Sequence, residues 1–540
     1  MVRLAVAAAL VLGSAALGAS SPAHAGDSHA LIQGSGSSWA ENAIDQWIAD
    51  VKADGLQVVF TGSGSAQGRK DFANRTTDFA DSEIGYQGYD PGSQTPDTSQ
   101  GREYAYLPVV GGGTSFPYQI KFGGKAVTNL RLSGETIARI FTNQITNWDD
   151  PAITHDNNGR QLGSLPIIPV VHSEGSGSSA QFTKYLANQY PGIWSAYSGT
   201  STFTEYYPRK GAVVAQNGSS QVINYVESKA ANGAIGYDEY SYALLGGYPV
   251  AKMLNKAGYY TLPTQYNVAV ALTKAIINED KSSPNYLLQD LHRVYVATDK
   301  RTYPLSSYSY GIIPTGNPQS KPPETKMTTA KRQTLADFLY YAICPGQKEV
   351  GPIGYSPLPV NLVTAGFSQI GKLKQADSGV DLTRRSVGTC ANPTFVAGHP
   401  NENYLAKIAP APPACDKAGA GPCVTGTTVA ANNAGTGSSN GSGSASSKGG
   451  SSSNGAASPG ATAPPGSHLD PITGEVVPGS ADSSGIDAAL VPTTLSSYRY
   501  HGRSLLLAPL AVALLVAAVL TPPILAPALE RRRRRRDGSP

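Results

Sequence analysis

The chain has 540 residues, long enough for a large core and more than one folded lobe. Its 42 Lys and Arg against 38 Asp and Glu leave a net charge of +4, and the run Arg531 to Arg536 alone exceeds that surplus. The remainder is close to neutral and carries no basic stripe with interleaved aromatics, which excludes nucleic acid as a partner.

The N-terminus reads as a secretory signal over residues 1–25. Arg3 gives a charged start, Leu4 to Leu17 an apolar stretch, and Ala23-His24-Ala25 a small-residue cleavage site. No cysteine lies near that site, so a lipoprotein anchor is not expected. From Gly26 to about residue 400, strand-like and helix-like patterns alternate. Leu56 to Thr61 and Pro166 to Val171 read as strands. Leu132 to Phe141 and Ala180 to Asn188 read as helices, the first capped by Ser133. Such alternation predicts an α/β fold with parallel sheets covered by helices.

The cysteines are Cys344, Cys390, Cys415 and Cys423. Export favours disulfides, and four cysteines allow three pairings. The expected pairs are Cys344–Cys390 and Cys415–Cys423, the second closing a tight loop that contains Pro and Gly. Zinc fits these spacings poorly.

From residue 425 the composition collapses to Gly, Ser, Ala, Asn and Pro, and 425–503 reads as a linker. As a random coil it would span roughly 45–55 Å. Ser504 to Leu529 is apolar and uncharged, long enough for one transmembrane helix. The arginine run in the basic tail 530–540 keeps that end in the cytoplasm, so the large domain, 26–424, is expected on the extracellular face of a bacterial cell membrane.

Three loops carry the chemistry: Gly34-Ser35-Gly36-Ser37-Ser38-Trp39, Thr61 to Gly68, and Glu174-Gly175-Ser176-Gly177-Ser178-Ser179. Each precedes a helix-like run. Glycine permits a tight turn with exposed N–H groups, serine adds hydroxyl donors, and the helix N-terminus adds partial positive charge. One such loop is an ordinary serine-capped turn. Three of them converging would wrap an anion with little formal charge. None has the lysine of a nucleotide-binding phosphate loop.

With these loops go Thr77-Asp78-Phe79-Ala80-Asp81-Ser82-Glu83, Leu132-Ser133-Gly134 with Ile145 to Pro151, Val170-Val171-His172-Ser173, and Gly233 to Tyr240. In this order they resemble the phosphate-binding component of ABC uptake systems over residues 30 to 370. The resemblance implies a two-lobed, type II periplasmic-binding-protein-like fold with a hinge. Lobe 1 would hold about 26–115 and 255–400, lobe 2 about 116–254, with crossings near 112–120 and 245–265 and a return through Tyr303 to Tyr310. It implies phosphate as ligand, an ABC permease as partner, no cofactor and no enzymatic activity. Carried over residue by residue, the ligand contacts fall on Ser38, the Trp39 backbone, Ser65, Ser176, Gly177 and Ser178. The carboxylate that accepts a proton of phosphate falls on Glu83, with Asp81 as its rival. The family's arginine falls on His172 and the acid paired with it on Glu174. Glu83 and His172 depart from the family's Asp and Arg. A strand-end His172 simply bonded to Glu174 is the plainer alternative for that pair.

Two other classes compete. A phosphate-ester hydrolase would need a metal cluster or an activated nucleophile, and neither HExxH nor GxSxG occurs in the folded region. A surface display module on the same fold would need only the stalk and the anchor.

Overall fold

The computed structural model describes residues 29–91, 94–399 and 402–423, with the backbone of 468–469 and 476–477. The chain divides into two compact units, Met1–Lys448 and Gly449–Pro540. In the second, His468–Leu469 pairs antiparallel with Val476–Val477, a short pairing inside the stretch expected to be linker. The expected signal peptide and transmembrane helix lie outside the described residues. Among the described residues no helix is long and apolar enough to cross a membrane.

The first unit opens with β1 (Ile32–Gly36), α1 (Glu41–Val51), β2 (Val58–Thr61), α2 (Ser65–Ala73) and β3 (Phe79–Ser82). On α1 the buried positions are Ala43, Ile44, Trp47 and Val51, a single stripe that faces the sheet. β1 pairs in parallel with β2 on one side and β3 on the other. The strand Ser306–Pro314 adds antiparallel to β3, the long strand Tyr104–Ser115 to that, and Asp238–Glu239 closes the six-stranded sheet. The Tyr-rich segment thus pairs with β3 and with the strand Tyr104–Ser115.

The second lobe repeats this opening. Its central strand Ile168–His172 pairs in parallel with Val214–Gln216 on one side and Ala234–Gly236 on the other. The helix Gly177–Gln189 follows the first of these strands and Gly218–Val226 the second. In both lobes the chain leaves the central strand for one neighbour and then crosses to the other. That reversal makes a crevice at the carboxyl ends of the strands, where open α/β sheets bind ligands. Phe116, Phe141, Phe182 and Tyr237 pack edge to face beneath the second sheet. The Ser133 cap forms, its hydroxyl accepting from the Thr136 amide at 3.2 Å.

The lobes interlock more than the expected crossings require, because Asp238–Glu239 leaves the second lobe to pair with Ser115 and Thr114. Both expected disulfides are present, Cys344–Cys390 and Cys415–Cys423. After the helix Val360–Ala376 the chain runs back as a strap. Tyr404–Ile408 packs Leu405 against Tyr266, Ala269 and Val270 of the helix Gln265–Leu272. The Cys415–Cys423 loop then docks on the second lobe. Arg131 donates to the carbonyls of Cys415 and Ala420 at 3.1 and 2.7 Å, and Lys252 pairs with Asp416 at 2.6 Å.

Candidate anion-binding site

The three Gly/Ser loops come together where the two sets of parallel strands end. β1 delivers Ser37 and Ser38, and β2 delivers Ser65, the first residue of α2. The turn into α2 needs Gly64, which caps the helix at φ +91°, and a Cβ there would come within 2.7 Å of Glu174. From the second lobe, Ser176 caps the helix Gly177–Gln189, its hydroxyl accepting from the Ser179 amide. The loops touch across the crevice: the Ala66 amide donates to the Gly175 carbonyl at 3.0 Å.

Glu83, just past β3, is the focus of this meeting and is buried. Its Oε2 accepts from the Ser65 hydroxyl at 2.6 Å, and its Oε1 accepts from Ser37 and, at 2.9 Å, from Ser309. Its backbone carbonyl accepts from Gln181 of the second lobe at 2.8 Å. A Cβ built on Gly177 would stand 1.6 Å from Glu83 Oε2 and 2.6 Å from the Ser65 hydroxyl. The carboxylate therefore lies against the first turn of a helix, where partial positive charge favours an anion. Among the described residues, no lysine or arginine side chain bonds to it.

Asp81 lies behind Glu83. The Ser309 hydroxyl is within hydrogen-bond distance of both carboxyl groups but has one proton to give. Burial, and then the charge of Glu83, push the Asp81 carboxyl well above the ordinary carboxylate range. A protonated Asp81 can donate to Ser309, which then donates to Glu83, so both contacts are satisfied.

His172 ends the central strand of the second lobe, fully enclosed, with the Tyr237 ring 5.5 Å away. Its Nδ1 is 2.8 Å from Glu174 Oε1, and its Nε2 is 3.9 Å from Asp238 Oδ1. Burial opposes the imidazolium, but Glu174, Asp238 and Glu83 outweigh it, so the imidazole holds its proton above its ordinary range. Burial likewise opposes the Glu174 carboxylate, but His172 first, and then the backbone amides of Glu174 and Gly218, offset this and leave its pKa lowered. Asp238 is pushed up to about 6, by burial first. Several buried atoms here have no hydrogen-bond partner among the described residues: His172 Nε2, Glu174 Oε2, Asp238 Oδ2 and the Ser178 hydroxyl. Buried polar atoms of this kind call for a partner.

Of the residues expected from sequence, Ser65, Glu83, Gly177 and the His172–Glu174 pair converge. Ser176 and Ser178 lie on the same turn as Gly177. Ser38 points to a neighbouring turn instead, with its hydroxyl 3.1 Å from that of Ser219 and accepting from the Ser219 amide at 3.2 Å. Trp39 is buried beside Tyr355, whose hydroxyl donates to its carbonyl at 2.6 Å. Sequence reasoning missed Ser37, Ser219, Ser309 and Asp238. Asn217-Gly218-Ser219-Ser220 is a fourth Gly/Ser turn between a strand and a helix, so the signal used for the other three would have found Ser219. Ser309 sits in a Ser/Tyr strand with no motif around it.

The hydroxyls of Ser37, Ser65 and Ser309 and the first turn of the helix Gly177–Gln189 thus gather on one carboxylate, which sets hydroxyl donors and a proton acceptor side by side.

Residues 20–345 match the family model described as a PBP superfamily domain. The phosphate-binding protein PstS 2 of Mycobacterium tuberculosis is 32% identical over 355 residues, covering 64% of this chain and 88% of that protein. The phosphate-binding protein PstS of Xylella fastidiosa is 28% identical over 333 residues, 62% of this chain and 82% of that one. A solved periplasmic phosphate-binding protein, PfluDING bound with phosphate, shares 18% identity at a TM-score of 0.49, over 66% of this chain and 100% of that one. These relatives are binding proteins rather than enzymes. With three-fifths of its length matched by the family model and a relative above 30% identity covered almost end to end, the chain belongs to the PstS-type phosphate-binding proteins of the PBP superfamily.

Proposed function

We propose that this protein captures inorganic phosphate outside the cytoplasm by bringing its two lobes together, and delivers it to an ABC permease. The observation that carries the reading is the meeting of Ser37, Ser65, Ser309 and the Gly177 helix turn on one buried carboxylate. The Trp39 backbone amide, Ser65, Ser176, Gly177 and Ser178 supply donors to the phosphate oxygens. Glu83 accepts the proton that phosphate retains at neutral pH. Sulfate has no such proton and would meet the Glu83 carboxylate as one anion against another, so it is rejected. Asp81, held neutral, feeds Ser309 and leaves Glu83 as the acceptor. Protonated His172, set by Glu174 and Asp238, supplies the positive charge that an arginine gives elsewhere in the family.

Residues 1–25 act as the export signal, 425–503 as a tether and 504–529 as a membrane anchor, keeping the two-lobed domain at the outer face of the membrane. Titration calorimetry with phosphate, arsenate and sulfate tests the central claim. Phosphate and arsenate, which share shape and protonation, are expected to bind and sulfate is not. Heat from none of the three would end the reading and leave a display module on this fold.

A further inference from the structure

Beside the serine loops, a separate set of buried charges crosses between the lobes. Arg69 lies one turn along α2 from Ser65, and its guanidinium is fully buried. Within the first lobe its Nε donates to Asp97 at 3.0 Å, its Nη2 to Asp97 at 2.9 Å and its Nη1 to Ser82 at 3.2 Å. From the second lobe Glu205, itself buried, accepts from Nη2 at 2.7 Å. The Glu205 backbone carbonyl accepts from the Ser176 amide at 3.0 Å. A neighbouring contact repeats the crossing, with the Tyr206 hydroxyl donating to Asp90 at 3.0 Å.

We propose that Arg69 and Glu205 form an interlobe latch, and that Glu205 is a positioning residue for the anion site. This rests on the reading of the two lobes as a clamp. Each end of the latch is tied to a serine loop: Arg69 shares its helix with Ser65, and the Glu205 backbone holds Ser176. Separating the lobes takes a desolvated charge pair apart, and bringing them together sets both loops in register. A buried pair of this kind acts mainly on dissociation rather than on encounter. The first lobe keeps its own half of the network, because Asp97 and Ser82 still satisfy Arg69 when Glu205 changes.

The test is Glu205→Gln in the full chain, read two ways. Stopped-flow kinetics with inorganic phosphate should show dissociation about tenfold faster and association within about twofold of wild type. Hydrogen exchange, measured without phosphate, should rise at 64–69 and 175–179 and stay unchanged along Tyr104–Ser115. Wild-type dissociation and wild-type exchange would overturn the latch. A rise in exchange throughout the domain would also overturn it, since that marks a structural role alone. If the wild-type protein takes up no phosphate, the functional reading fails, and the exchange pattern by itself decides for or against the latch.

Discussion

His172 is fully buried, yet its surroundings favour its charge. Glu174, Asp238 and Glu83 face it, and together they overcome the cost of burial. The sign of the pH dependence follows. A group whose pKa is raised on folding gives stability that is complete below its unfolded value of 6.5 and is lost as pH rises through the folded value. The same rise removes the cation proposed to face phosphate. Wild-type phosphate affinity is therefore expected to fall, relative to His172→Arg, whose charge is permanent, as pH rises through the raised folded value of His172. Calorimetry of both proteins at several pH values checks this, because the titration of phosphate itself is common to the two. At Glu83 the expectation concerns selectivity. Glu83→Gln turns an obligatory acceptor into a group that can also donate, so phosphate should weaken about tenfold or more while sulfate gains, as competition titrations would show.

At the scale of elements, the recurring device is a strand, a Gly/Ser turn and a helix. It occurs after β1, β2, Ile168–His172 and Val214–Gln216, two in each lobe. The two lobes share one strand order, so the four turns fall at matching carboxyl ends. The turn before Gly177–Gln189 tolerates least, since any side chain at Gly177 would enter the Glu83 carboxylate. Gly177→Ala must push that carboxylate away from Ser65 or move the helix end. It is expected to lower phosphate affinity at least tenfold and stability by about 1–3 kcal/mol. Calorimetry and urea unfolding measure the two. Intact affinity in this variant would mean that phosphate sits elsewhere.

Across the whole molecule, the chain past the matched residues 20–345 ties the lobes together a further time. Cys344–Cys390 holds its start to the first lobe, Leu405 packs on Gln265–Leu272, and the Cys415–Cys423 loop docks on Arg131 and Lys252 of the second. The first disulfide spans 46 residues. By the chain-entropy argument its loss should cost about 2–4 kcal/mol. Guanidinium unfolding of the Cys344→Ser, Cys390→Ser double variant is expected to show that loss. A midpoint equal to wild type would mean that packing alone holds the strap.

The amino-acid sequence by itself determined what short-range chemistry controls. Gly64, Ser65, Ser133, Ser176 and Gly177 declare their turns and caps, because φ preference and capping bonds act over a few residues. The alternation of strands and helices, the two cysteine pairs and the candidates Glu83 and His172 were legible on the same footing or through ordered family blocks. Only the tertiary structure decided which groups face one another. Ser309 reaches Glu83 across 226 positions, Ser219 meets Ser38 across 181, and Glu205 meets Arg69 across 136. The family register already favours Glu83 over Asp81, and the packing adds that the Glu83 carboxylate lies against the Gly177 turn. Buried charges and hydroxyls take whatever partner the fold brings within about 3 Å, and nothing local to either residue encodes that partner.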